Sequence, residues 1–216
     1  MKNIIFIAPP AAGKGTQSSL LIDKYGYEHI STGDILREEI MCGTDLGKRV
    51  KNIIDNGLLV SDDIMIEIIK NKLESIHGKP FILDGFPRTL DQAKSLTMML
   101  DSLNVDNTIV INLELNEEDA MKRALGRLTC SKCGRSYNKY IQTLKPSVDN
   151  VCDYCGEKLI ERSDDNETSF KKRYDSFLTN TLPIVKYYES INLLVNVDVN
   201  RDSLVIFKDI MEIVND

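Results

Sequence analysis

The sequence predicts an α/β fold, a parallel sheet of five strands flanked by helices. Three observations predict it. Short apolar runs rich in branched side chains alternate with longer stretches of helical spacing. Strands separated by helices pair in parallel, through right-handed crossovers. The chain has 216 residues, 42% of them hydrophobic, which is enough for one such core with room for insertions.

Taken in order, residues 3–7 are apolar after Asn3 and form the first strand, and residues 17–22 carry the spacing of the first helix. Residues 27–31 make a short second strand or extended segment. Thr32-Gly33-Asp34 caps a helix carried by Ile35, Leu36 and Ile40. Asp45 opens another over residues 46–56, which ends at Gly57. An amphipathic helix is predicted over residues 64–76, closed by Gly78 and Pro80. Residues 81–84 are a buried strand, and Thr89 with Gln92 forms a capping box for a helix down to Leu103. Residues 108–113 are the fourth strand, and Asn116 caps a helix reaching Arg127. After an interruption over residues 128–163, a helix runs from Glu167 to Glu189 with a kink or break at Pro183. Residues 191–197 are the last strand and residues 203–214 the last helix.

Between the first strand and the first helix stands Ala8-Pro9-Pro10-Ala11-Ala12-Gly13-Lys14-Gly15-Thr16. A strand, a glycine-bearing loop and a helix N-terminus make a phosphate cradle. Backbone N–H groups face the anion, and a lysine, here Lys14, adds a positive charge. Gly15 follows the lysine, where the motif has a hydroxyl, and the hydroxyl comes one place later at Thr16. Magnesium would therefore be held mostly by phosphates and water, with a nearby carboxylate. Ala8 and Ala11 occupy positions where the motif has small turn residues. If either needs positive φ, alanine costs about 1–2 kcal/mol.

The net charge of −6 argues against a general affinity for nucleic acid but is compatible with arginines gathered around an anionic ligand. No apolar run approaches a membrane span, and the N-terminal one stops at Pro9, too short for a secretory signal. The expected setting is cytoplasmic. There, four of the five cysteines read as metal ligands rather than disulfides: Cys130 with Cys133, and Cys152 with Cys155, in two Cys-x-x-Cys turns with residues 134–151 between them. Each turn is followed by glycine, which lets backbone N–H groups point at thiolate sulfur. Four thiolates close the coordination shell, so the zinc is structural. The segment is poor in core residues and needs the metal to fold. Cys42 is assigned to packing, and His29 and His77 to ordinary structural roles.

The chain resembles an adenylate kinase of the long-lid, zinc-bearing type found mostly in bacteria. The resemblance rests on Gly13-Lys14-Gly15-Thr16-Gln17, Ser31-Thr32-Gly33-Asp34-Ile35-Leu36-Arg37 and Gly57-Leu58-Leu59-Val60. It continues with Asp84-Gly85-Phe86-Pro87-Arg88-Thr89, Gln92-Ala93, Gly126-Arg127, the four cysteines and Arg162-Ser163-Asp164-Asp165-Asn166. It implies a P-loop kinase fold and reversible phosphoryl transfer from Mg-ATP to AMP, giving two ADP. Residues 1–30, 61–126 and 164–216 would be the core. Residues 31–60 would be a mobile AMP-binding segment, and residues 127–163 a zinc-ribbon lid over ATP.

In the same terms Thr32, Arg37, Leu58, Leu59, Val60, Gly85, Phe86, Pro87, Arg88 and Gln92 would hold AMP, with Gln92 reading adenine. Arg162 and Arg173 would share the AMP side. Ala11, Ala12, Gly13, Lys14, Gly15, Thr16, Arg123, Arg127, Ser136, Tyr137 and the backbone near Arg201 would hold ATP. Asp84 would orient water around Mg2+. Lys14, Arg88, Arg127, Arg162 and Arg173 are the catalytic set, because phosphoryl transfer asks for alignment and charge neutralisation rather than a protein nucleophile. Asp164 and Asp165 are read either as arginine-positioning hinge carboxylates or as an acidic helix start.

The family ordinarily has glycine at the positions of Ala8 and Ala11, often a second arginine at that of Leu128, and commonly glycine at that of Val199. Weakened ATP phosphate binding is the expected consequence, and the alternative is a nucleotide-binding relative with weak or no phosphotransfer. A nucleic-acid role for the zinc ribbon is opposed by Asp149, Asp153, Glu157, Glu161, Asp164 and Asp165. ATP, AMP and ADP are the expected partners of a monomer.

Overall fold

The structure, a computed structural model, describes residues 1–56, 58–76 and 78–215. Strands apolar on both faces need helices on both faces, and the sheet is built on that constraint. β1 (Asn3–Ile7), β2 (Glu28–Ser31), β3 (Phe81–Asp84), β4 (Thr108–Glu114) and β8 (Leu194–Asp198) pair in parallel in the order β2-β3-β1-β4-β8. Successive side chains of β1 point to opposite layers. Ile4 and Phe6 pack with Ile82, Ile111, Leu113 and Val197, under α1 (Lys14–Tyr25), α6 (Glu117–Leu125), α7 (Glu167–Ser176) and α9 (Ser203–Asn215). Ile5 and Ile7 pack with Ile30, Leu83 and Val110 on the other face. That face is covered by α2 (Thr32–Met41), α3 (Asp45–Asp55), α4 (Asp62–Ser75), α5 (Leu90–Ser102) and α8 (Leu182–Ser190).

Element ends differ from the sequence expectation where side chains or turns decide them. α2 is capped by Ser31, whose Oγ accepts from Asp34 N, rather than by the following triplet. α3 is capped by Thr44. The expected terminal glycine, Gly57, lies outside the described residues, as does His77. α6 stops at Leu125 instead of Arg127, because Arg127 opens β5 (Arg127–Cys130). The long helix predicted from Glu167 is interrupted by a π-helical turn at Phe177–Thr181, and Pro183, which has no N–H to continue the ladder, sits in the first turn of α8 directly after it. The last strand starts at Leu194, not at residue 191. The reason is that Leu193 N turns back to Tyr188 O through Asn192 at φ 56°.

The interrupted region forms its own antiparallel sheet, β6-β5-β7, from β5, β6 (Ser136–Asn138) and β7 (Leu159–Ile160). Its buried apolar core is Leu128, Cys130, Cys152 and Leu159, too small to fold unaided. Leu128 is thus a packing residue. Cys42, expected to pack, is exposed at the end of α2. Among the described residues no helix is long and apolar enough to cross a membrane.

Candidate active site

The site lies beyond the carboxyl ends of β1 and β3. The chain leaves β1 first toward the β2 and β3 side and later toward β4, so a crevice opens there. The loop after β1 turns through Ala11 at φ 60° and Gly13 at φ 99° into α1. Gly13 provides no side-chain cap, and the first backbone bond into the helix is Gln17 N to Gly13 O at 3.1 Å. The N–H groups of Lys14, Gly15 and Thr16 therefore face the crevice without a helical acceptor. Ala11 is the alanine that occupies a left-handed backbone position; Ala8 does not.

The crevice, about 1330 Å3, is lined by Lys14, Arg37, Arg88, Arg123, Arg127, Arg162 and Arg173 against the carboxylates Asp34 and Asp84. A protein that is acidic overall thus concentrates positive charge at one place. Burial lowers the Lys14 ammonium to about 8, helped by Arg88, Arg173 and Arg127 and opposed by Asp84. Burial and the neighbouring Arg127 bring Arg162 and Arg173 down to about 10. The carboxylate of Asp84 is held below its usual range. Burial opposes its ionisation, but His29, Lys14 and Arg88 outweigh it.

Each guanidinium is fixed by a named partner. Arg127 donates two parallel bonds to Asp165, whose side chain is buried. Arg173 Nη1 donates to Asp164 Oδ2 at 2.8 Å, Arg37 pairs with Asp34, and Arg162 Nε donates to Thr129 Oγ1 at 3.1 Å. Arg123 Nη2 donates to Val199 O at 2.7 Å. Val199 is itself fully buried, which accounts for an apolar residue at that position. Arg88 Nε donates to Gly85 O at 2.7 Å, and Thr32 Oγ1 donates to the same oxygen at 2.9 Å. Gly85 is at φ 85°, and a Cβ there would stand 2.7 Å from Thr32 Oγ1 and 2.9 Å from Arg88 Nη2. Only glycine fits this node.

A second cavity, about 640 Å3, is lined by Thr32, Leu58, Leu59, Val60, Gln92 and Asp164, with Leu36, Ile54 and Met65 completing its apolar wall. It shares Gly33, Arg37, Gly85, Arg88 and Arg173 with the larger one. Two compartments therefore meet at three arginines. Ala11, Ala12, Gly13, Gly15, Thr16, Ser136 and Tyr137 line the larger compartment.

Three candidate residues stand elsewhere. The Phe86 side chain is buried in the core and lines neither compartment. Pro87 lines a smaller recess beside Lys14 and Arg88. Arg201 is on the surface, bonded to Asp198 O and paired with Asp209 at 2.6 Å, outside both compartments. The Thr89 cap holds, with Oγ1 accepting from Gln92 N, but Gln92 does not reciprocate. Its Oε1 accepts from Arg88 N at 2.7 Å instead. Sequence reasoning missed Asp34, whose spacing of three residues before Arg37 on a helix was the available signal. It also gave His29 only a structural role. The ring lines the crevice with Nε2 at 3.7 Å from Asp84 Oδ2 and no hydrogen-bond partner for that atom among the described residues.

The four candidate metal ligands converge. Cys130, Cys133, Cys152 and Cys155 have their sulfurs within 4.8 Å of one another, and the Cys130–Cys155 and Cys133–Cys152 separations are 3.5 and 3.6 Å. A tetrahedron with metal–sulfur arms of about 2.3 Å has edges of about 3.8 Å, so the cluster can hold a tetrathiolate metal. The Tyr137 hydroxyl stands 3.4 Å from Cys152 Sγ and accepts from Asp153 N at 2.9 Å. Burial opposes ionisation of Cys152, yet Tyr137 and the N–H groups of Cys155 and Tyr154 draw it down to about 6.

Fold and site together define a phosphate-loop protein with two compartments that share three arginines, flanked by a small sheet that carries a four-cysteine cluster able to hold a metal. The family model described as adenylate kinase matches residues 6–193. Adenylate kinases from Methanosarcina barkeri and Archaeoglobus fulgidus are each 44% identical over 209 residues, which is 96% of this chain and 96% and 95% of theirs. The Kosmotoga olearia adenylate kinase is 42% identical over 211 residues, 97% of each chain. The chain belongs to the adenylate kinase family.

Two outcomes follow from the loop geometry. Ala11→Gly relieves a left-handed alanine and raises stability by a net of roughly 1 kcal/mol, whereas Ala8→Gly lowers it by about 0.5 kcal/mol through the freer unfolded chain; thermal unfolding of the two variants side by side distinguishes them. Lys14, at about 8 in the free protein, is returned toward its ordinary value by a bound polyphosphate. Above pH 8 binding must take up a proton, and affinity must fall as pH rises. Titration calorimetry with tripolyphosphate at pH 9, in buffers of different ionisation enthalpy, should show that uptake in the wild type and none in Lys14→Met.

Proposed function

We propose that the protein transfers the terminal phosphoryl group of Mg-ATP reversibly to AMP, giving two ADP. The observation that carries this reading is the meeting of two compartments at Arg37, Arg88 and Arg173, with the phosphate loop opening into one of them only. ATP occupies the loop side. AMP occupies the compartment of Thr32, Leu58, Leu59, Val60 and Gln92. An α-phosphate oxygen of AMP attacks the γ-phosphorus, and the bond to the bridging β–γ oxygen breaks. Electron pairs move from nucleophile to leaving ADP, so no protein nucleophile is required.

The chain's contribution is alignment and charge. Lys14 and the loop N–H groups hold the β- and γ-phosphates. Arg88 and Arg37 hold the AMP phosphate. Arg123, Arg127, Arg162 and Arg173 neutralise the equatorial oxygens of the group in transit. Mg2+, when bound, would offset the charge of the ATP phosphates, and the ionised Asp84 is the carboxylate that would hold water of its shell. Zinc in the four-cysteine cluster would keep residues 127–163 folded as a lid, with residues 31–60 closing from the other side. Arg135 of the lid pairs with Asp23 of α1, and Ser136 Oγ stands where a Cβ on Gly15 would be 3.9 Å away. Both favour a lid that seats directly over the loop and excludes water. The reading extends to a monomer in the cytoplasm.

A coupled assay with ATP, AMP and Mg2+ tests the activity. AMP-dependent ADP formation should fall by about 10^2–10^3 in kcat for Lys14→Ala. Nucleotide binding without turnover in the wild type would favour the non-catalytic alternative. Removing the metal with a strong chelator should abolish a separate lid transition in the melting curve and raise KM for ATP well above its change for AMP, while the core remains folded. Equal rises in both KM values would deny the lid its place over the donor.

A further inference from the structure

Behind the smaller compartment lies a carboxylate that no step above uses. Asp62, the first residue of α4, accepts from Gln92 Nε2 through Oδ1 at 2.6 Å and from Thr89 Oγ1 through Oδ2 at 2.9 Å. Gln92 is 2% exposed and is the one side-chain amide among the described residues lining the compartment. We propose that Asp62 is a positioning residue that fixes which way the Gln92 amide faces and thereby sets the base specificity of the acceptor site. The proposal rests on the reading of this compartment as the AMP site.

A glutamine amide keeps its shape when its oxygen and nitrogen exchange places, so only its partners determine its orientation. Here both ends are determined. The Arg88 N–H can only donate and so requires the oxygen, at 2.7 Å. The Asp62 carboxylate can only accept and so requires the NH2 group. Asp62 cannot drift, since its second oxygen is tied to Thr89, whose own oxygen caps α5 by accepting from Gln92 N. With these bonds made, Gln92 retains one oxygen lone pair and one N–H.

That pair is complementary to a six-membered ring edge with an exocyclic amino donor beside a ring nitrogen acceptor, as in adenine. It opposes an edge with an oxo group beside a ring N–H, as in hypoxanthine or guanine. There, donor would meet donor and acceptor would meet acceptor, and buried polar groups left unpaired are costly. The carboxylate therefore acts at one remove, by forbidding the orientation that would accept a 6-oxopurine.

The test compares kcat/KM for AMP and IMP in Asp62→Leu, Asp62→Asn and Gln92→Leu, with KM for ATP as the internal reference. Asp62→Leu should reduce the AMP-to-IMP preference by about tenfold, leaving KM for ATP unchanged. Asp62→Asn should recover most of the preference, because its carbonyl still accepts from Gln92 Nε2 and its amide can donate to Thr89. The double variant Asp62→Leu/Gln92→Leu should lose no more than Gln92→Leu alone. If Asp62→Leu does not fold, Asp62→Glu, which keeps the charge at the start of α4 but moves the acceptor by one methylene, should show a smaller loss of the same ratio. An unchanged ratio in Asp62→Leu, or in Asp62→Glu where only that variant folds, overturns the proposal. If Gln92→Leu leaves the ratio unchanged, the assignment of the compartment to AMP is what fails.

Discussion

Mutual repulsion among the cations at the carboxyl edge of the sheet is the constraint on which the rest of the structure depends. Seven positive side chains line one crevice, and burial has already lowered Lys14, Arg162 and Arg173 from their ordinary values. A cluster of this kind is tolerated only if each charge is held in place by an acceptor that cannot itself bind phosphate. Asp34, Asp164 and Asp165 fill that role, together with the carbonyls of Gly85 and Val199. The carboxylates compensate part of the charge and leave a surplus. That surplus is what a pair of phosphate chains, brought together against their own repulsion, would satisfy.

The constraint reaches the topology. The cations come from α1, α2, α6, β5, α7 and the turns after β3 and β7, so no single element could gather them. A parallel sheet solves the problem, because every connection that follows a strand emerges on the same edge. Arg162 and Arg127 enter from the flap sheet, and Arg37 from the helices covering the opposite side. Assembly of the full charge set therefore depends on both flanks being seated. Under the proposed function, a polyanion would lower the cost of bringing these flanks together, and their approach would complete the set that holds it.

Much of this was legible in the sequence, for local reasons. Four of the five strands announce themselves as apolar runs with branched side chains, and the loop at Lys14 and the paired cysteines are short motifs whose residues lie near one another in the chain. The side chains that stand outside both compartments are ones whose surroundings no local motif records. Phe86 sits within the most recognisable run of the sequence, yet its ring belongs to the core. Arg201 is drawn to Asp209 on α9, a contact between residues eight apart that no motif records. Asp62 and His29 were illegible for the complementary reason: each touches a partner, thirty and fifty-five residues away respectively, that the fold brings alongside it.

The flap shows how little apolar surface such a design requires. Its four-residue core includes two of the cysteines, so the four-cysteine cluster and the hydrophobic centre are the same object. Tyr137 extends that object into the crevice. Its hydroxyl is engaged with Cys152 and Asp153 while the residue lines the cleft wall. A side chain anchored at its far end loses little further freedom when a ligand arrives, and so costs less to order on binding than a free surface tyrosine would. Under the proposed function, the rigidity that the flap cannot obtain from burial would come from a metal in the cluster and pass, through one ring, to the surface that meets the ligand.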